Sequence, residues 1–148
     1  MSGFFRTLLT AGTSAALLLS PAALHAQASS TDSLAYPRQF VQWVFTTHGD
    51  SAFAHAGPQL RESMKSVESI NEMAGRIAAR FGEAKGTDAE VQFDEGALKV
   101  YIAVMRFAQA PEPAAWTVVY SPSTKVVERD SFSSLSNVKM RYPQAKLP

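Results

Sequence analysis

Residues 97–108 read A-L-K-V-Y-I-A-V-M-R-F-A, a run that is apolar on nearly both faces when it is extended. β-Branched and aromatic residues favour strands, and a strand that is apolar on both faces is typical of a position inside a sheet. We therefore expect a central strand here, with one face on a layer of helices and the other partly covered. Arg106 interrupts the run, and we expect it at an edge or facing solvent rather than binding an anion.

Shorter strand patterns lie on both sides of this run. Residues 90–94 (E-V-Q-F-D) alternate between polar and apolar, and residues 94–96 (D-E-G) are typical of a hairpin turn. After a loop at residues 111–113 (P-E-P), residues 116–121 (W-T-V-V-Y-S) and 125–132 (K-V-V-E-R-D-S-F) predict two more strands. Strands that follow one another through short turns predict an antiparallel meander of about four strands.

The chain before the strands is helical in its pattern. Residues 67–81 carry apolar side chains at i, i+3, i+4 and i+7, with Ser66 or Ser69 as the N-cap and Gly82 as the end. A largely buried first helix is expected over residues 38–48, and two short helical segments lie between these two helices. Helices first and strands afterwards predict an α+β protein, with N-terminal helices packed in a curved antiparallel sheet.

Residues 46–57 (T-T-H-G-D-S-A-F-A-H-A-G) bring two histidines and an aspartate close together in the chain. A metal site needs three ligands that converge on one ion, and the spacing of His48, Asp50 and His55 is not an established ligand pattern. The structural interpretation is that His48 favours the dipole at the end of the first helix, Gly49 ends that helix and Asp50 caps the next. We favour this interpretation and predict no metal site.

The N-terminus predicts export. Residues 1–28 combine a short n-region containing Arg6 with an apolar stretch rich in Leu and Ala, followed by an A-x-A signal at residues 26–28. This pattern predicts a Sec-type secretory signal peptide that is cleaved after Ala26 or Ala28. The mature protein is therefore expected in the bacterial periplasm or outside the cell, without a stable membrane anchor after cleavage.

Composition limits the remaining chemistry. The absence of cysteine excludes disulfides, thiol catalysis and lipid attachment to cysteine. Loss of Arg6 with the signal peptide would leave 13 of the 14 basic residues against 13 acidic ones, which argues against nucleic-acid binding. We expect a flexible leader at residues 29–35, one domain at 36–136 and a basic, solvated tail at 137–148.

Several landmarks together resemble the nuclear transport factor 2-like, or cystatin-like cone, superfamily, and in particular its small secreted bacterial members. They span most of residues 36–135 and include F-V-Q-W-V-F (40–45), H-G-D (48–50), V-Y-I-A-V-M-R-F (100–107) and W-T-V-V-Y-S-P-S-T-K-V-V (116–127). The resemblance implies a cone-like half-barrel with a pocket at its wide end. Some members of the superfamily, such as ketosteroid isomerases and polyketide cyclases, use an Asp/His or Tyr/Asp set inside the cone, and many others only bind ligands or partners.

Function is less constrained than fold. The sequence contains no nucleophile elbow, no glycine-rich phosphate loop and no H-E-x-x-H motif, and it implies no cofactor. Trp43, Tyr101, Trp116 and Tyr120 are aromatic side chains with a polar group, which can line a ligand cavity or pack in a core. We expect a non-catalytic module that binds a small apolar molecule or an envelope protein through these residues.

Two other hypotheses stay open. An isomerase- or cyclase-like enzyme would use acid–base catalysis inside the cone, with His48, Asp50 or Tyr101 as candidates. Against it, neither face of residues 97–108 carries a carboxylate that could act as the base. A homodimer would use the outer face of the sheet as its interface, because this strand is apolar on both sides.

Overall fold

The computed structural model describes residues 32–46 and 48–148, so the predicted signal peptide lies outside the described residues. Over the described part, helices precede a four-stranded antiparallel sheet with the order β1-β2-β3-β4, and the sheet is not closed. The elements are α1 (Ala35–Phe45), α2 (Gly49–His55), α3 (Pro58–Met64), α4 (Val67–Phe81), β1 (Ala84–Glu95), β2 (Leu98–Phe107), β3 (Ala114–Ser121), β4 (Val126–Ser134) and α5 (Leu135–Arg141). The predicted α+β class is confirmed.

Helix α4 has the bounds that the sequence pattern predicts. The hydroxyl of Ser66 accepts a hydrogen bond from the backbone N–H of Ser69 at 3.2 Å, so Ser66 is the N-cap. Gly82 ends the helix with a φ of 76°, a conformation that glycine adopts without steric cost. Ile70 and Ile77 are buried, which shows that the apolar stripe of α4 faces the core.

Helix α1 begins and ends three residues earlier than the predicted range of 38–48. Pro37 lies in its first turn, where a missing backbone N–H costs nothing. Thr46 terminates it, since both its backbone N–H and its hydroxyl donate to the carbonyl of Gln42, at 2.9 and 2.7 Å. The prediction that Gly49 ends this helix is therefore wrong.

The sheet separates two apolar layers, and β2 pairs with both β1 and β3 as a central strand should. The inner face is the one that packs against α1–α4. It carries the side chains of Tyr101, Ala103, Met105, Phe107, Trp116, Val118 and Tyr120. The outer face carries those of Val100, Ile102, Ala115 and Val119.

The C-terminal segment contributes to the outer layer. Residues 137–148 were expected to be a solvated tail, but Val138 and Tyr142 are buried in the outer cluster. The ring of Tyr142 lies 5.6 Å from that of Phe93 on β1. Val138 lies in α5 and Tyr142 directly follows it, so the two residues are four positions apart and both face the sheet. Lys139 and Arg141 stay exposed.

Candidate functional site

The corner between α1 and α2 does not assemble a reactive cluster. His48 and Asp50 are exposed, whereas the half-buried ring of His55 lies 4.7 Å from that of Trp43. The Nδ1 atom of His55 lies 3.0 Å from the carbonyl oxygen of Ser51, one turn earlier in α2. Within residues 32–46 and 48–148, no group of three His, Asp or Glu side chains is placed to hold a metal ion.

Gly49 and Asp50 have different roles from those predicted. His48 occupies the N-cap position of α2 and makes no side-chain cap hydrogen bond, and Asp50 lies in the first turn, where its charge favours the helix dipole. Gly49 is buried against α4. A Cβ at this position would lie 2.7 Å from Oδ1 of Asn71 and 3.2 Å from the carbonyl oxygen of Val67. A larger residue here would have to displace the Asn71 side chain and tighten the contact with the Val67 carbonyl, so glycine favours the close approach of the two helices.

The four aromatic residues predicted to bind a ligand are not arranged around one cavity. Trp116 and Tyr120 are buried in the core, and the hydroxyl of Tyr120 donates to Oε1 of Gln92 at 2.9 Å. Trp43 is half-buried beside the α2 helix. Tyr101 does line a cavity of about 320 Å³ between α1 and β1.

Tyr101 belongs to a hydrogen-bonded, charged cluster that connects α1 with β1 and β2. Its hydroxyl donates to Glu90 on β1, whose two carboxylate oxygens also accept hydrogen bonds from Arg38 on α1, each at 2.7 Å. The hydrogen bond from Arg38 lowers the pKa of Glu90, and burial together with the Glu90 carboxylate raises the pKa of Tyr101. Tyr101 is therefore a hydrogen-bond donor to an ion pair and not a base.

A half-buried aspartate, Asp130, does carry a carboxyl group on the inner face, but on β4. The pairing of β3 with β4 shifts between Arg129 and Val127, so Glu128 is an extra residue in a β-bulge. Regular alternation would place Val127 and Asp130 on opposite faces of the sheet. The bulge instead brings both to the inner face, where Asp130 lies opposite Val118.

The surroundings of Asp130 favour its protonated form. Its Oδ1 accepts a hydrogen bond from the indole N–H of Trp116. Burial raises the pKa of Asp130 to about 7, although the hydrogen bonds from Trp116 and from the backbone N–H of Ser131 act in the opposite direction. A carboxyl group with a pKa near neutrality can both donate and accept a proton at physiological pH.

Asp130 borders a cavity of about 390 Å³ beneath α3 and α4. The apolar part of the lining comes from Leu60, Met64, Ile70 and Met73, and the polar part includes Ser69, Lys65 and Arg76. Glu72 also lines the cavity, so a small molecule there would meet the carboxyl group of Asp130 among both aliphatic and charged side chains.

A larger cleft of about 670 Å³ lies between α4, β4 and the loop that precedes β3. Its apolar lining includes Met73, Ile77, Phe81, Pro111, Pro113 and Phe132, and its charged residues are Arg76, Arg80 and Glu112. The rings of Phe81 and Phe132 are 5.5 Å apart and half-buried, so they present aromatic surface to the cleft. Met73 and Arg76 line both this cleft and the cavity at Asp130.

The sequence interpretation missed both of these sites. The apolar pattern of residues 67–81 predicts a helix but not a cleft, and Phe81 at the end of α4 borders the cleft opposite the P-E-P loop at residues 111–113. The sequence interpretation names no candidate within residues 125–132, and regular alternation from Val127 would place Asp130 on the outer face. The local signal for Asp130 is an acidic residue inside a predicted strand.

In comparisons with known proteins, the chain matches no family model, no curated protein and no solved structure. The resemblance to the nuclear transport factor 2-like superfamily therefore stays a prediction. Over the described residues, no helix is both long and apolar enough to cross a membrane.

Proposed function

We propose that this protein is a small binding module that holds an apolar molecule in the cleft between α4 and β4. The cleft itself supports the proposal, since about 670 Å³ falls in the range of about 300–1,000 Å³ that is usual for small-molecule sites. Phe81 and Phe132 are half-buried, so part of each ring is accessible from the cleft. Covering apolar surface stabilises a complex by about 25 cal/mol for each Å² removed from water.

The proposal extends to where the protein works. The predicted signal peptide makes the periplasm or the extracellular medium the proposed compartment, and membership of the cone superfamily would agree with a ligand-binding role. A concave cleft of this size suits a small molecule better than a protein partner, which needs a broader surface.

Filling the cleft would test this function. Ala110 lines the cleft and is half-buried, so Ala110→Phe should occupy part of it. Ala97, which is exposed in the β1–β2 turn, provides the matched control Ala97→Phe. In a fluorescence titration with the neutral probe Nile red, we expect Ala110→Phe to weaken binding and Ala97→Phe to leave it unchanged. Absence of binding to the wild type, or equal binding by both variants, would contradict the proposal.

A second candidate function is acid–base catalysis in the cavity at Asp130. It is supported by one observation, the half-buried Asp130, whose pKa is raised to about 7 and which borders a cavity that a substrate could enter. The test is proton exchange at the α-carbon of a panel of cyclic ketones in D2O, followed by NMR. Catalysis would be supported if the wild type accelerates exchange of at least one ketone and Asp130→Asn does not. If the wild type accelerates the exchange of no ketone, this candidate function is wrong.

A further inference from the structure

We infer that the cleft between α4 and β4 selects an amphipathic anion, a molecule with an apolar body and a single carboxylate head that pairs with Arg76 and Arg80. This inference rests on the proposed function, because it assumes that the cleft takes an apolar ligand. It adds the chemical class of that ligand and the residues that recognise its head.

The two arginines are placed beside the apolar wall of the cleft. Arg76 and Arg80 are one helical turn apart, so their side chains lie on the same side of α4. Each is followed directly by an apolar residue of the cleft lining, Ile77 and Phe81. A ligand whose apolar body covers these two residues would bring its head group to the guanidinium groups.

Both guanidinium groups are free enough of other partners to bind an anion. Arg76 has a loose contact with Glu72, at 3.6 Å between two side chains that are each 70% exposed. Arg80 forms no ion pair within residues 32–46 and 48–148, and its guanidinium carbon lies 5.2 Å from the centroid of the Phe81 ring. This cation–π contact holds the guanidinium at the aromatic wall and leaves N–H groups for a planar carboxylate.

The charged residues that line the cleft are two arginines and one glutamate, Glu112, so the lining carries a net positive charge. Glu72 lies outside the lining and contacts Arg76 only loosely, at 3.6 Å. Glu112 belongs to the loop on the other side of the cleft and makes no ion pair with a described residue. The net positive charge favours one anionic head, and the position of Glu112 directs that head toward α4.

The experiment compares three ligands that share a twelve-carbon chain and differ in the head: dodecanoate, dodecanol and dodecyltrimethylammonium. Binding to the folded protein is measured by titration calorimetry, with every ligand below the concentration at which it forms micelles. The variants are Arg76→Gln/Arg80→Gln and, as a control, Arg129→Gln, which removes an exposed arginine on β4 that pairs with Glu95. Circular dichroism confirms that the exposed substitutions leave the fold intact.

We expect the wild type to bind dodecanoate about tenfold more tightly than dodecanol, as two exposed charge pairs of ordinary strength would give. The double variant should lose that preference while its affinity for dodecanol stays the same, and Arg129→Gln should behave as the wild type. Added salt should weaken the binding of dodecanoate and leave the binding of dodecanol unchanged.

The outcomes separate the inference from the function on which it rests. Equal binding of dodecanoate and dodecanol by the wild type would overturn the selection of an anion and leave an apolar-ligand module standing. A preference that persists in the double variant would overturn the role of the two arginines. No binding of any of the three ligands would overturn both the inference and the proposed function.

Discussion

Replacing Asp130 with asparagine should make the stability of this protein less dependent on pH. The amide has nearly the same shape as the carboxyl group, and its oxygen can still accept the hydrogen bond from Trp116. What the substitution removes is the ability to lose a proton inside the protein. The difference between the wild type and Asp130→Asn therefore isolates the contribution of one buried ionisation.

The sign and size of the contribution of Asp130 to the free energy of unfolding follow from its pKa. Burial raises the pKa of Asp130 from an ordinary 3.8 to about 7 in the folded protein, so between these values the folded state holds a proton that the unfolded chain has lost. The stabilisation is complete below pH 3.8 and is lost as the pH rises through about 7. A shift of three pKa units at 1.36 kcal/mol each sets a ceiling of about 4 kcal/mol. Two of these three units lie between pH 5 and pH 7, so at most about 2.7 kcal/mol of the total is lost over the interval from pH 5 to pH 8.

Urea unfolding of both proteins at intervals from about pH 5 to pH 8 measures this difference, since the contributions of all other titrating groups cancel between the two proteins. Relative to Asp130→Asn, the wild type should lose about 2–3 kcal/mol of unfolding free energy over that range, if the folded pKa is about 7. A difference that stays constant to within about 0.5 kcal/mol would show that the carboxyl group is solvated and that the reasoning from its burial is wrong.

Three further predictions concern stability and are measured by the same unfolding assay. Trp116→Ala should cost about 3–5 kcal/mol, because the ring is fully buried, and a loss below about 1 kcal/mol would contradict its place in the core. Gly49→Ala should destabilise by about 1–3 kcal/mol through overpacking, whereas Gly75→Ala, in open space on α4, should stabilise by about 0.5–1 kcal/mol; equal effects would contradict the close approach of α2 to α4. Tyr101→Phe should cost about 1 kcal/mol by removing the hydrogen bond to Glu90, and an unchanged stability would show that the bond contributes nothing.

The parts of the fold that the sequence predicts best are those whose signals are local. Helix α4 has an apolar stripe, a serine cap and a terminal glycine within one short segment, and each of these acts through neighbours in the chain. The apolar run of β2 similarly predicts a central strand, because burial on both faces needs no knowledge of the partners.

The corner at His48, Gly49 and Asp50 could not be interpreted locally. Glycine is common at helix ends, so the sequence predicts that role for Gly49. Its role in the structure depends instead on the close contact with Asn71 of α4, which is distant in the chain. The cleft is similarly built by a helix, a loop and a strand that meet only in the folded protein, and the exposure of Phe81 within it has no local signal.

The bulge at Glu128 lets β4 hold one extra residue without changing the face on which its acidic group lies. Deleting Glu128 would leave Val127 and Asp130 two positions apart in a regular strand, so both side chains would still face inward and Asp130 would stay opposite Val118. An alignment with a chain that lacks the extra residue would therefore need a one-residue gap at Glu128 to pair the inward-facing residues of the two strands.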